Sequence, residues 1–406
     1  MLYRFDAMQY PLISEYIEAI RSAEDNFDKL SNLRPVLDSD GNPVMSSGNF
    51  AVVFKMEDVS THRLFAVKCF IKEQEGRGER YALIAEELQY VSSPYLLHVR
   101  YLERELFVST AGCDEEEFPV LVMDWVEGQP LDAYLKQHLN NRYDLEMLAY
   151  RICKMGAWLL SQPFAHGDLK PDNILVREDG SLVLVDYDGM YVPAMKGMKA
   201  EEMGSPDYNH PLRREDDFNE HIDDFSVSTI ALSLMSIAIE PVLFIKHGVP
   251  DSLLFHSKDF FDLGNSMAIK DVISLVCDNR VASLLSLFLQ TYANKVLNDC
   301  SSNLIQYIRP RKVIYKRGID TSAKWDIKSY CYFTLEEKEL VKDAQMVYHE
   351  GKKSIQFNMK DGRVGHIPCH DRSFFIEGEY IKMDNIIVLT LSRIGDTDRN
   401  VLIYKS

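Results

Sequence analysis

The chain has 406 residues, of which 46% are hydrophobic, so it is long enough for two or three globular domains. Its 62 acidic and 45 basic residues give a net charge of -17, which argues against a general nucleic-acid binder or a protein that binds anionic membranes. The seven cysteines include no CxxC pair and no Cys/His cluster at metal spacing, as expected for the reduced thiols of a cytoplasmic protein.

The first part of the chain is predicted to be mainly β. Residues 11–30 place apolar side chains at helical spacing among acids, which predicts an amphipathic helix before the first strand. A second helix is predicted over residues 78–91. The predicted strands are rich in β-branched and aromatic residues, and they cover residues 33–37, 44–54, 63–70, 95–108 and 119–126.

The middle of the chain is predicted to be helical. The helical pattern starts at Leu131, and its longest run before His166 covers residues 145–160. Residues 226–245 are apolar almost throughout, but Glu240-Pro241 interrupts them, so we expect a buried core helix and no membrane span. A β-rich half followed by a helical half predicts two lobes with a cleft between them.

The last part of the chain changes character again after about residue 310. Short strand-like runs separated by Gly, Asp and Asn predict a small, mainly β domain. The predicted strands there cover residues 312–315, 330–334, 345–348, 354–359, 373–376, 386–391 and 401–404.

A cluster of polar residues in the helical half carries the chemistry. The motif His-Gly-Asp-Leu-Lys-Pro-Asp-Asn at residues 166–173 is followed by an apolar run at 182–185 and by Asp-Tyr-Asp-Gly at 186–189. A carboxylate, a lysine, an amide oxygen and a second carboxylate thus follow each other along a loop, a strand and a loop. This is the layout that a phosphoryl-transfer site needs.

The β-rich half adds two features that suit a nucleotide. Residues 46–53 lie between two strand halves, where small residues let backbone N–H groups approach phosphates, although alone they also fit an ordinary hairpin. Lys68 lies inside an apolar strand, so it is either a snorkelling edge lysine or a ligand of the α and β phosphates. Among the acids of the next helix, Glu87 has the spacing to hold this lysine.

In order and spacing, these motifs resemble the signature set of eukaryotic-type Ser/Thr protein kinases. Residues 204–211 sit where the substrate-binding loop should be, and residues 223–226 resemble the start of the long buried helix of the helical lobe. The chain looks like a bacterial member of that superfamily over residues 31–310. The motifs that carry the resemblance are Gly48, Phe50 and Val53, Val67-Lys68, and residues 122–128, 166–173 and 186–188.

The resemblance implies an α+β, bilobal protein kinase-like fold with a β-rich N-lobe and a helical C-lobe, followed by the small β domain. The implied domains are an N-terminal helical extension at 1–30, the N-lobe at 31–128, the C-lobe at 129–310 and the β-rich domain at 311–406. It also implies ATP and Mg²⁺ as cofactors and a protein as substrate or partner. Neither a nucleic-acid partner nor a membrane span is expected.

The resemblance also assigns roles to residues. Asp168 would accept or orient the attacking hydroxyl, and Lys170 would neutralise charge on the transferred group. Asn173 and Asp186 would bind Mg²⁺. Asp124 and Val126 would offer backbone groups to the adenine edge. The full set of implied ATP-binding residues is Ser46, Gly48, Phe50, Val53, Ala66, Lys68, Glu87, Met123, Asp124 and Val126.

The chain departs from the kinase pattern at several positions. Ser46 and Ala51 replace two glycines of the phosphate loop, and Gly167 replaces the arginine that often precedes the catalytic aspartate. Tyr191 carries the only hydroxyl between residues 188 and 204, so we predict activity without phosphorylation of that loop. Tyr187 and Asp188 replace the usual Phe and Gly, and Asp188 is either an extra metal ligand or an ordinary loop acid.

Three functions remain open from the sequence. The Lys170-Pro171 pair and the substrate-loop match favour an ATP-dependent Ser/Thr protein kinase. Aminoglycoside and choline-type kinases also have His-Gly-Asp in this motif, although Lys170 argues against a small-molecule kinase. The altered phosphate loop and the Tyr187-Asp188 change suggest a nucleotide-binding pseudokinase or scaffold whose β domain recruits a partner.

Overall fold

A computed structural model of the chain describes residues 10–48, 50–74, 76–110, 112, 116–248 and 252–295, together with strands within 314–404. A sheet-rich region comes first and a helical region follows, as predicted. Of the cysteines in the described part, Cys69 and Cys153 are buried free thiols and Cys277 is exposed.

A six-stranded antiparallel sheet forms the N-terminal lobe, in the order β1-β3-β4-β6-β5, with β2 paired to β3. The predicted strand at 44–54 is in fact a hairpin, because the chain turns at Gly48, whose N–H donates to the Ala51 carbonyl at 2.9 Å. The strands are β1 (Leu33–Pro35), β2 (Met45–Ser47), β3 (Ala51–Asp58), β4 (Leu64–Phe70), β5 (Val99–Phe107) and β6 (Glu117–Asp124).

Alternation along the strands gives this sheet two different faces. One face buries Val52, Phe54 and Val67 beneath the N-terminal helices α1 (Ile13–Arg21) and α2 (Ala23–Asn26), so the predicted helix at 11–30 is two short ones. The other face belongs to a second core that includes α3 (Arg77–Leu88) and the helical lobe. Its sheet residues are Ala51, Ala66, Phe70, Val99, Leu121 and Met123.

The helical lobe is built around α6, whose residues are buried along almost the whole helix. The prediction of a core helix is confirmed, and α6 ends where Glu240-Pro241 interrupts the apolar run. No helix in the described ranges is long and apolar enough to cross a bilayer. The helices are α4 (Leu131–His138), α5 (Arg142–Leu159), α6 (Asp224–Ile239), α7 (Val242–His247), α8 (Ser257–Phe261), α9 (Met267–Ile273) and α10 (Asn279–Asn294).

A small three-stranded sheet carries the polar motif. Its strands are β7 (Gln129–Pro130), β8 (Ile174–Val176) and β9 (Leu182–Leu184), with β8 in the middle. Residues 171–173, at the end of the motif, form a short 3₁₀ turn that leads directly into β8.

The strands after residue 310 form two antiparallel sheets. One has the order β11-β12-β13, and the other has the order β10-β17-β16-β14 with β15 paired to β16. The strand expected at 330–334 falls outside the described residues, and the small β domain stays a prediction. The strands are β10 (Ile314–Arg317), β11 (Val341–His349), β12 (Lys352–Met359), β13 (Val364–Pro368), β14 (Phe374–Ile376), β15 (Lys382–Met383), β16 (Ile386–Arg393) and β17 (Arg399–Tyr404).

Candidate active site

The β8–β9 hairpin brings two of the predicted site residues together. Ile174 pairs with Leu184 in this hairpin, and the Val185 N–H donates to the Asn173 carbonyl at 3.0 Å. Asn173 therefore enters the hairpin beside the point where Asp186 leaves it. Asp186 has a φ of +67°, in the left-handed region that residues with a side chain adopt rarely and that is found most often at functional sites.

Asp168 is held from three directions. Its Oδ1 accepts the Ser205 N–H at 2.9 Å. Its Oδ2 accepts the Asn173 Nδ2 at 3.1 Å and lies 2.9 Å from the Lys170 ammonium. Burial acts against charge on Lys170, but the bond to Asp168 and the negative charges of Asp168, Asp186 and Asp172 together outweigh it and raise the pKa of this lysine. The structure thus groups Asp168, Lys170 and Asn173.

A buried aspartate that sequence reasoning gave no role fixes the loop that bears Asp168. Asp223 is 1% exposed, and its carboxylate accepts the backbone N–H groups of both His166 and Gly167. Burial raises the pKa of Asp223, which opposes its ionisation. The sequence signal that marks it is its position at the start of segment 223–226, which resembles the start of the long buried helix, here α6.

Lys68 reaches across from the sheet to the loop after β9. Its ammonium lies 2.7 Å from Asp186 Oδ1 and 2.7 Å from Asp188 Oδ2. Burial acts against charge on Lys68, but the two carboxylates outweigh it and raise its pKa above the usual value. Likewise, burial opposes charge on Asp186, but the Lys68 ammonium outweighs this and lowers the pKa of Asp186.

The expectation that Glu87 holds Lys68 is not met in this structure. Glu87 lies on α3 between Ile84 and Leu88, which point into the core, and it makes no contact with Lys68. The carboxylates on Lys68 come instead from the loop after β9, which carries both Asp186 and Asp188. Asp188, which the sequence left as an extra metal ligand or an ordinary loop acid, is one of them.

The register of the sheet places the remaining predicted ATP-binding residues. Val53 pairs with Lys68, and Ala66 pairs with Met123, so these four lie on neighbouring strands. Ala66 and Met123 belong to the face that looks toward the helical lobe. Ser46 and Phe50, which flank the Gly48 turn, are exposed.

The segment after β6 presents backbone groups. Asp124 turns its side chain outward to Arg63 at 2.8 Å, which leaves only its backbone for a ligand on the inner side. Val126 is buried, and within the described part of the chain its N–H and C=O have no hydrogen-bond partner. An N–H that bonds to no other described residue suits a ligand with an acceptor.

The site also fits a metal ion that is completed by phosphates. Asn173 uses its Nδ2 as a donor to Asp168, which leaves its Oδ1 for a ligand. Asp186 uses Oδ1 toward Lys68, and 40% of its side chain is exposed. Within the described ranges no three His, Cys, Asp or Glu side chains cluster as a metal site. Two oxygen ligands plus substrate phosphates are typical of Mg²⁺ rather than of a closed protein cage.

The comparison with known families agrees with this geometry. Residues 42–245, half of the chain, match the family model of the protein kinase domain. The chain belongs to the protein kinase family. The matched residues include Lys68, Asp168, Asn173 and Asp186, which the structure has just brought together.

Several curated kinases are similar to this kinase chain. Serine/threonine-protein kinase 32C of Mus musculus is 25% identical over 223 residues, which are 52% of this chain and 41% of that protein. Serine/threonine-protein kinase dkf-1 of Caenorhabditis elegans is 26% identical over 247 residues, 56% of this chain and 32% of that protein. The putative serine/threonine-protein kinase PRKY of Homo sapiens is 28% identical over 155 residues, 37% of this chain and 52% of that protein.

The chain therefore spans about half or less of the length of these relatives. All three are eukaryotic, and the bacterial origin suggested by the sequence stays a prediction.

The loop of this kinase domain that follows Asp188 offers no accessible hydroxyl before Ser205. Tyr191 is 4% exposed, its ring packs edge-on against Phe218, and its backbone pairs with Ala165. We therefore expect phosphatase treatment to change the rate of phosphoryl transfer by less than about two-fold, since no phosphorylated side chain holds this loop. The measurement compares treated and untreated protein, with Tyr191→Phe as a second sample. A folded Tyr191→Phe protein without turnover would contradict this expectation.

Proposed function

We propose that the protein transfers the γ-phosphoryl group of ATP, with Mg²⁺, to a serine or threonine hydroxyl of a protein substrate in the cytoplasm. The observation that supports this most directly is the contact of Asp168 with both Lys170 and Asn173, beside the Lys68–Asp186 pair. These contacts suit a site in which Asp168 is the base, Lys170 neutralises charge, Asn173 binds the metal and Lys68 anchors phosphates.

Each residue of the site has a distinct part in this reaction. Asp168 orients the acceptor hydroxyl and takes its proton, while the Ser205 N–H and Asn173 keep its carboxylate in place. Lys170, 2.9 Å from Asp168, stabilises negative charge on the transferred group. Lys68 anchors the phosphates that are not transferred. Asn173 and Asp186 would hold Mg²⁺, whose positive charge would offset the negative charge of the phosphates.

The rest of the chain has proposed roles as well. The backbone of Asp124 and Val126 binds the adenine edge, and Val53, Ala66 and Met123 line the ring. Ser46, Gly48 and Phe50 form the tip that covers the phosphates. Residues 311–406 form the small β domain that their strand-like runs predict, and they recruit the substrate or a partner protein.

Transfer of label from γ-labelled ATP tests this proposal. Mg²⁺ is added because the site lacks a closed metal cage of its own. We then expect label on phosphoserine or phosphothreonine of an acceptor protein or of the chain itself. Excess EDTA is expected to lower transfer at least about 100-fold, since it would remove the cation whose charge offsets that of the phosphates. Restoring Mg²⁺ should restore transfer.

Two results would contradict the proposal and support the other readings. Labelled ATP that binds without any transfer would indicate a pseudokinase or scaffold. Label that reaches an aminoglycoside or choline but no protein would indicate a small-molecule kinase.

A further inference from the structure

Lys68 has two carboxylate partners, and they differ in exposure. The side chain of Asp186 is 40% exposed, whereas those of Asp188 and Lys68 are each 7% exposed. Asp186 is also the carboxylate that the proposed function requires as a metal ligand. Asp188 is therefore the partner that can stay on Lys68 throughout a catalytic cycle.

No carboxylate is among the buried residues of helix α3. Kinases ordinarily pair the lysine of this strand with a glutamate of the following helix. Here Glu79 and Glu86 are exposed, and Glu87 lies at the edge of the buried face. Turning a glutamate inward would rotate Ile84 and Leu88 out of the core and expose two buried apolar side chains to water. The buried residues of α3 are Arg77, Arg80, Tyr81, Ile84 and Leu88.

Tyr81 connects this helix to the loop. Its hydroxyl donates to Asp188 Oδ1, while Asp188 Oδ2 accepts from Lys68. The ring of Tyr81 stacks on Tyr101 with an interplanar angle of 4°, which fixes its orientation. Burial and the neighbouring carboxylates of Asp188 and Asp186 raise the pKa of Tyr81 well above its usual value, so the hydroxyl stays a donor.

We infer that Asp188 is the positioning residue that holds Lys68 for the phosphates of ATP, and that Tyr81 couples α3 to it. The carboxylate that other kinases carry on the helix is here carried by the loop after β9. This inference rests on the proposed function, because the position of Lys68 matters only if phosphates bind there.

Steady-state kinetics of Asp188→Asn test the inference. The substitution removes an anchor of Lys68, which lowers the affinity for ATP. It also removes a negative charge near the phosphates, which raises that affinity. We expect kcat to fall about 10- to 100-fold through misplacement of Lys68, while the KM for ATP changes by less than about three-fold. If the substitution destabilised the whole fold, it would also weaken the binding of adenosine, which contains no phosphate. We expect the affinity for adenosine to stay unchanged.

Three further variants make the result specific. Glu86→Gln removes an exposed charge from the same helix and is the control for charge alone. Tyr81→Phe should lower kcat about 3- to 10-fold in the wild-type background and much less in the Asp188→Asn background, because the two act through one contact. Tyr81→Glu combined with Asp188→Gly returns the carboxylate to the helix. The kcat of this double variant should be at least about ten-fold higher than the kcat of Asp188→Gly alone.

The inference would be overturned if Asp188→Asn kept the wild-type kcat. It would also be overturned if Glu87→Gln lowered kcat as much as Asp188→Asn does. If the wild-type chain transfers no phosphate at all, the proposed function fails separately. A crystal structure of the wild-type chain with ADP and Mg²⁺ then still tests the inference. It is supported if Lys68 stays within hydrogen-bond distance of Asp188, and overturned if Lys68 pairs with Glu87.

Discussion

Replacement of Asp168 by asparagine is expected to lower the rate of phosphoryl transfer about 100- to 10,000-fold. Asparagine keeps the shape of the side chain but cannot take a proton from the attacking hydroxyl. It also removes the carboxylate charge that pairs with Lys170 at 2.9 Å. The measurement is a single-turnover assay with saturating ATP, because chemistry rather than product release then sets the observed rate.

ATP affinity is the companion measurement for this variant. The Asp168 carboxylate bonds to Ser205, Asn173 and Lys170 and to no described residue of the six-stranded sheet, so we expect the dissociation constant of ATP to stay within about three-fold of wild type. Asp172→Asn makes the same chemical change at an exposed position of the same loop and serves as the control. A rate within about ten-fold of wild type in Asp168→Asn would contradict the role of Asp168 as the base.

Local patterns predicted much of the fold and of the candidate site. Runs rich in β-branched and aromatic residues predicted β4 and β6, and a long apolar run predicted the buried helix α6. Lys68 stood out because an ammonium in an apolar strand needs a partner. The motif at 166–173 placed Asp168 and Asn173 close together, since both lie on one short loop.

Contacts between distant parts of the chain were not predictable in the same way. Asp188 and Lys68 are 120 residues apart, and Asp223 and His166 are 57 residues apart. Which carboxylate reaches Lys68 depends on how α3 is rotated about its axis, and three glutamates on that helix were compatible with the sequence. The packing of Ile84 and Leu88 decides the rotation, and no local pattern states that a loop acid then takes the place of Glu87.

Gly167→Ala is expected to destabilise the protein by about 3 to 5 kcal/mol, which lowers Tm by roughly 10 °C. Gly167 has a φ of +82°, and a Cβ placed on it would lie 1.8 Å from the Gly189 carbonyl oxygen. The loop cannot easily move away, because the Gly167 N–H donates to Asp223 and the Gly167 carbonyl accepts from Arg213. Thermal unfolding followed by fluorescence measures the shift.

Gly197→Ala separates the two causes of this effect. Gly197 has a similar φ of +89°, but a Cβ on it would meet nothing within 4 Å. It should therefore cost only the left-handed conformation, about 1 to 2 kcal/mol, and keep full activity. Equal Tm values for the two variants would show that the close approach of Gly167 to Gly189 is absent. If Gly167→Ala has the lower Tm of the two variants, position 167 cannot hold the arginine that often precedes the catalytic aspartate, for a steric reason. The loop that brings Asp188 to Lys68 also brings Gly189 against Gly167, so the two departures from the kinase pattern have one physical cause.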